Sequence, residues 1–284
     1  MSWLLVSLLV LFHDADLAAR IQKLIDASGA EVGVFVRQLD GPRMSMTLDP
    51  DKSFHAASTM KVPVMIELFR QAKAGKLSLD ETLPIKNEFH SIVDGSVYQL
   101  SAGDDSDDEV YKAAGKTMTL RELCEAMITV SSNFAANLLI ERLGAKNIQA
   151  TVHRLGADGM QVLRGVEDQK AFDKGLNNTT TARGLGVLLT KIAMGETVGK
   201  TADAEMVEIL KRQRFNDAIP AGLPEGTPVA HKTGNITKIR HDAAIVYGPH
   251  PYVVVVLVRG LEDQKAASRL IASISREVWT AIEK

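Results

Sequence analysis

From Asp14 to Ser28 apolar residues recur at helical spacing: Leu17, Ile21, Leu24 and Ile25 share one face, and Gly29 follows as a stop. The pattern then shortens. Glu31–Leu39 and Arg43–Leu48 read as two strands joined by a hairpin turn at Asp40-Gly41-Pro42. From Thr59 to about Glu196 nearly every segment is helix-like. Strand patterns return at Pro228–Lys232, Ala243–Tyr247 and Val253–Arg259, the last two joined at Gly248-Pro249-His250-Pro251, and Glu262–Ile282 reads as a closing helix. Strands at both ends with helices between predict an α/β (α+β) chain. An antiparallel sheet lobe forms from both termini, residues 14–57 plus 197–284, flanked by helices, and an all-helical lobe, 58–196, is inserted into it.

Three short signatures fall at particular places in this frame: Ser58-Thr59-Met60-Lys61, Ser131-Ser132-Asn133 and Lys232-Thr233-Gly234. A serine hydroxyl is a poor nucleophile until a base takes its proton. On a helix, positions i and i+3 share a face, so Lys61 falls one turn from Ser58 with both side chains on one side. Pro63 is tolerated only in the first turn of a helix, which places the helix start close to Ser58. Helix-end N–H groups there favour a developing oxyanion. Ser131 offers a second hydroxyl for proton relay, and Lys232 a positive charge. With Ser58 and Ser131 in the helical lobe and Lys232 on an edge strand, the site lies between the lobes, and the strand suits an extended amide substrate.

On these motifs the chain resembles the class A β-lactamase-type serine hydrolases of the penicillin-binding superfamily, whose motif set has this order. The likeness runs from about Leu17 to the C-terminus. It includes Thr119-Leu120-Arg121-Glu122-Leu123-Cys124 before the serine loop, Ala135-Ala136-Asn137-Leu138-Leu139 after it, and an omega-loop segment between Arg164 and Thr179-Thr180-Thr181. The resemblance implies a β-lactam-hydrolysing enzyme without cofactor or metal. Ser58 is then the acylated nucleophile, Lys61 its proton partner and Ser131 the relay to the ring nitrogen. Asn133 holds the substrate amide, Lys232 and Thr233 hold the substrate carboxylate and support Ser131, and Gly234 of the same motif belongs to the substrate-binding set. The backbone N–H groups of Ser58 and Asn235 form the oxyanion site, and Arg240 is a second carboxylate anchor. Glu167 is the base for deacylation.

The chain departs from the family pattern in the second half of this machinery. Ser132 stands where the family has aspartate. Glu167 lies three residues after Arg164 rather than two, Ala171 replaces an asparagine, Asn178 replaces the aspartate that pairs with the arginine, and the loop is shorter. Asp173-Lys174-Gly175-Leu176-Asn177 offers a rival register with Asp173 as the base. A penicillin-binding D-Ala-D-Ala peptidase or esterase that deacylates slowly, and a non-catalytic β-lactam sensor, share the same three motifs.

Composition narrows the partners. The chain has 284 residues, 45% hydrophobic and 24% charged, with a net charge of −2 that gives no basic field for nucleic acid. A monomer acting on a small molecule is expected. The acidic run Asp104-Asp105-Ser106-Asp107-Asp108-Glu109 reads as a solvated loop. The single cysteine, Cys124, reads as a buried core residue, and no Cys/His cluster has metal spacing. His55, His231 and His241 lie near the motifs and read as supporting groups. The apolar run Trp3 to Phe12 is too short to span a bilayer; it marks residues 1–13 as a signal peptide and the protein as periplasmic or secreted.

Overall fold

The computed structural model describes residues 2–40 and 44–283. Gly41 and Pro42 of the expected hairpin turn, and Arg43 at the start of the second expected strand, lie outside the described residues. The chain is α+β, as its pattern predicts. Five strands, β1 (Glu31–Gln38), β2 (Ser45–Leu48), β3 (Val229–Ile236), β4 (Ile239–Val246) and β5 (Tyr252–Arg259), form one antiparallel sheet in the order β2-β1-β5-β4-β3. Helices α1 (Ser2–Ser28) and α8 (Gln264–Ile282) cover one face, and α6 (Ala182–Met194) packs on the other. The amphipathic segment at Asp14 continues back to Ser2 as a single helix. Among the described residues no helix is long and apolar enough to cross a membrane.

Strand alternation explains how one sheet serves two cores. Val32, Val34, Val36, Val254 and Val256 pack against Leu17, Ile21, Ile271 and Ile274 on the α1/α8 side. Phe35, Val253, Val255 and Leu257, the intervening positions, pack against Leu185, Leu188 and Leu189 of α6. The central strand β5 is therefore buried on both faces, and its valine run is what such a strand requires. Between β2 and β3 lie α2 (Lys61–Lys73), α3 (Leu120–Thr129), α4 (Asn133–Leu143), α5 (Ala145–Arg154), α6 and α7 (Lys200–Lys211). A reciprocal capping box between Thr119 and Glu122 starts α3, which buries Cys124.

The middle of the chain is less helical than its pattern reads. Thr82–Pro84 pairs with Thr117–Thr119, and Phe89–His90 with Val97–Tyr98. Glycine, proline and short polar residues interrupt the period there, as at Gly75, Pro84, Gly95 and Gly103. The sequence pattern ends this strand at Lys232, but β3 continues through Thr233-Gly234-Asn235 to Ile236, because β4 pairs with it residue by residue, Thr233 with Asp242 and Asn235 with Arg240. A two-residue hairpin at Thr237-Lys238 closes the pair, with Lys238 at φ 59°. Edge strand β3 thus carries the whole signature past the start of α2.

Candidate active site

The chain enters the site through a short 3₁₀ turn, Ala57–Met60, which leads directly into α2. Ala57 sits at φ 45°, and the Thr59 hydroxyl and N–H both donate to the Ala56 carbonyl, so the turn is locked from within. Ser58 therefore lies one turn ahead of the α-helix rather than in it. Pro63 occupies the third position of α2, where its missing donor costs nothing. Gly234 lies against this turn: a Cβ there would come within 3.1 Å of Thr59 and 3.2 Å of Ala57, so a larger residue would have to push the turn away from β3.

Three elements converge on two hydroxyls. Lys61 Nζ, fully buried at the start of α2, lies 3.0 Å from Ser58 Oγ, 3.3 Å from Ser131 Oγ, 2.6 Å from the Ser131 carbonyl oxygen and 2.8 Å from Asn133 Oδ1. From β3, Lys232 Nζ, also fully buried, donates to Ser131 Oγ at 2.9 Å and to the Thr233 carbonyl at 3.0 Å. Ser131, between α3 and α4, holds φ 60°, an uncommon conformation for a residue with a side chain. Burial pushes the Lys61 amine down to about 7, against the opposing charges of Asp105 and Glu167. Lys232 is held well below the usual lysine range, first by burial and then by the charge of Lys61, with Asp242 opposing. An amine that is half neutral near pH 7 and touches a serine hydroxyl can take its proton, and a second hydroxyl between two amines can pass one on.

Glu167 joins this network through Asn133, whose Nδ2 donates to Glu167 Oε1 at 2.9 Å while its Oδ1 faces Lys61. Glu167 adopts φ 62°. Its side chain is open to solvent, yet the protein around it still pushes its carboxyl above the usual carboxylate range, with the Asn133 hydrogen bond opposing. The preceding residue is pinned: Val166 N–H donates to Asn137 Oδ1 at 2.7 Å, and Asn137 Nδ2 donates to the Val166 carbonyl at 3.0 Å. Gly165 permits that approach, since a Cβ there would meet Asn137 Oδ1 at 2.6 Å. Asp173 is exposed at the end of the short helix Gln169–Asp173, where it accepts a hydrogen bond from Gln169. Glu167 lines the cavity beside Ser58, and Asp173 is not among its lining residues.

Among the described residues, no ion pair closes the neck of the omega-like loop. Arg164 donates to the carbonyls of Leu176 and Gly165 and to Asn177 Oδ1. Asn178 accepts from the N–H groups of Leu163 and Arg164 and donates back to the Arg164 carbonyl. A neutral amide can do this because the Arg164 charge is spread over three neutral acceptors.

Ser58, Asn133, Arg164, Glu167 and Asn235 line a cavity of about 780 Å³, and Ser131, Thr233 and Arg240 line an adjoining one of about 290 Å³ that also touches Ser58. Arg240 reaches that wall already paired: its guanidinium donates to Asp217 at 2.5 Å and to Ser268 Oγ at 3.1 Å. The histidines are bound to neighbouring groups. His55 Nδ1 accepts from Ala57 N–H, His231 pairs with Asp242 at 2.9 Å, and His241 bonds the His55 and Arg240 carbonyls. Among the described residues no group of three His, Cys, Asp or Glu side chains is placed to hold a metal ion.

Asp105 and Asn137 are the parts of the network that sequence reading missed. In sequence Asp105 reads with its acidic neighbours as solvated, but its carboxylate accepts from the N–H groups of Asn133 and Phe134. The one signal for it in the sequence is indirect: Ser132 lacks the acid that the family keeps in that motif.

The likeness to known proteins follows the same lines. The model of the β-lactamase enzyme family matches residues 16–282. A β-lactamase of Bacillus licheniformis is 26% identical over 276 residues, covering 92% of this chain and 82% of the relative. The solved structure of PBP-A is 29% identical and superposes with a TM-score of 0.81 over 94% of this chain and 96% of PBP-A. A variant of the last common ancestor of Gram-negative bacteria class A β-lactamase is 27% identical, with a TM-score of 0.80 over 94% and 98% of the two chains. With its fold and nearly its whole length matched, the chain belongs to the β-lactamase enzyme family.

Proposed function

We propose that this protein is a serine β-lactamase that opens the lactam amide through an acyl-enzyme on Ser58. The observation that carries this reading is the Lys61 amine, buried, pushed down to about 7 and 3.0 Å from Ser58 Oγ. Neutral Lys61 takes the Ser58 proton as Oγ attacks the lactam carbonyl carbon. The backbone N–H groups of Ser58 and Asn235 receive the oxyanion. Collapse breaks the C–N bond, and the ring nitrogen takes the Ser131 proton, which Lys61 and Lys232 stand ready to replace. Asn133 positions the acyl amide. Glu167 then takes a proton from a water whose oxygen attacks the ester carbonyl carbon; the adduct collapses with cleavage of the bond to Ser58 Oγ, and that oxygen takes up a proton from Lys61, which Glu167 restores through the site's hydrogen bonds. Since Lys61 acts as a base, acylation is expected to rise as pH passes upward through about 7.

The site opens between residues 58–196 and the lobe made of 14–57 with 197–284, and the protein works as a secreted or periplasmic monomer. The second reading is a slowly deacylating penicillin-binding peptidase. The likeness to PBP-A favours it, since a single-substitution variant of that protein was captured as an acyl-enzyme with penicillin G. Incubation with a chromogenic cephalosporin separates the two: steady turnover supports the lactamase, and one stoichiometric burst supports the peptidase.

The substrate is expected to need its carboxylate. Thr233 and Arg240 line the cavity at Ser131, to which Lys232 is bonded, and a charge-assisted hydrogen bond in such a site contributes about 1.5–3 kcal/mol. A methyl-esterified penicillin is therefore expected to lose at least about tenfold in acylation efficiency. Equal efficiency for acid and ester would remove the anchor from the account.

A further inference from the structure

Most of the run Asp104 to Glu109 is solvated, but Asp105 is half-buried and turned inward. Its two carboxylate oxygens accept from Asn133 N–H at 2.8 and 2.9 Å, and one also accepts from Phe134 N–H at 3.0 Å. The hydroxyls of Tyr111 and Ser132 donate to the same carboxylate at 3.2 and 3.4 Å. The next residue, Ser106, donates its hydroxyl to the Ser131 carbonyl, the one that Lys61 also bonds. One loop thus grips Ser131, Ser132, Asn133 and Phe134 from outside.

We propose that Asp105 supplies from this neighbouring loop the negative charge that the Ser131-Ser132-Asn133 motif lacks at Ser132, and is the positioning residue that holds Ser131 and Asn133 on Lys61. The N–H groups in the first turn of α4 have no acceptor within their helix, and an anion there both satisfies them and opposes the helix dipole. Ser131 keeps its left-handed φ of 60° only while its surroundings hold it. Asn133 touches Lys61 with one amide atom and Glu167 with the other, so a shift of the first turn of α4 reaches both. Ser132 caps the same helix weakly, accepting from Ala135 N–H at 3.3 Å, and leaves the charge to Asp105.

Asp105 acts electrostatically as well. The charged groups facing Lys61 are Asp105 from this loop, Glu167 from the omega-like loop and Lys232 from β3. Loss of Asp105 removes one of two acids that favour the charged amine. The acid limb of the acylation profile then moves to lower pH, even as the rate falls.

The kinetic part of this inference rests on Ser58 acylation, and the structural part does not, so the test reads both. Asp105→Ala, Asp105→Asn and the double variant Asp105→Ala with Ser132→Asp are compared with the parent. Exchange of the Asn133 and Phe134 amides is followed by NMR, and penicillin acylation by stopped flow across pH. The two single variants are expected to exchange these amides at least about tenfold faster and to acylate about 10- to 100-fold more slowly, with the acid limb at lower pH. Asp105→Asn keeps one acceptor and serves if the alanine variant does not fold. Adding Ser132→Asp is expected to restore protection, rate and acid limb together. Parent-like exchange and acylation in both single variants would overturn the proposal, as would slower acylation with an unmoved acid limb and no rescue. If the parent itself is never acylated while the amides lose protection as expected, the reading of function falls and the positioning role stands.

Discussion

The Lys61→Arg variant is expected to lose acylation by about 10²- to 10⁴-fold while it stays folded and charged at the same position. Lys61 has two properties that arginine cannot reproduce. Burial brings its amine down to about 7, so a large share is neutral at physiological pH, and that neutral nitrogen lies 3.0 Å from Ser58 Oγ. Arginine keeps its proton in proteins and is planar, so it would hold a permanent cation against Lys232, which the Lys61 charge already pushes downward. Stopped-flow acylation with intact-mass detection measures the loss, and the parent profile should rise with pH through about 7. A variant rate close to the parent's would mean that another group takes the Ser58 proton.

Glu167→Gln is expected to leave the acylation burst intact and to trap the acyl-enzyme, slowing deacylation by about 10²- to 10⁴-fold. Glutamine keeps the shape and can still meet Asn133 Nδ2 through its carbonyl oxygen, but it cannot take a proton from water. The carboxyl of Glu167 is raised above the usual carboxylate range by the protein around it and is open to the cavity beside Ser58, which favours its taking a proton from water there. Because the base must be ionised, deacylation in the parent should fall as pH drops and this carboxyl takes up its proton. Asp173→Asn serves as the control: Asp173 is exposed and tied to Gln169, so its loss is expected to change little. Turnover of Glu167→Gln at the parent rate would assign deacylation to another route.

Legibility followed the range of the interactions. Periodicity revealed α8 and the amphipathic part of α1, and it located all five strands, because burial of one face is written into local spacing. It underestimated β3, since Thr233-Gly234-Asn235 reads as a turn until β4 pairs with it. It smoothed over the segment near residues 82–119, where short ladders form between stretches too brief for any period to register. The nucleophile side of the site was readable because Ser58 and Lys61 are three residues apart on one turn. Ser131 and Lys232 became placeable only through the order of the motifs. Asp105 was unreadable for a different reason: an acidic run has the same composition whether it faces water or a helix start. The partner of Arg240 was hidden in the same way, as nothing around Asp217 marks it in sequence for a strand at Arg240. Glu167 and Asp173 stood as rivals until the fold put one on the cavity and the other on the surface.

The central claim is that Ser58 carries the acyl group. Intact-mass spectrometry after rapid mixing with a penicillin, followed by peptide mapping, tests it most directly. A transient adduct of the mass of the whole penicillin is expected on the parent, mapped to the peptide that holds Ser58, with none on Ser58→Ala. An adduct of the same mass on Ser58→Ala, or an acyl group mapped to any other residue of the parent, would contradict it.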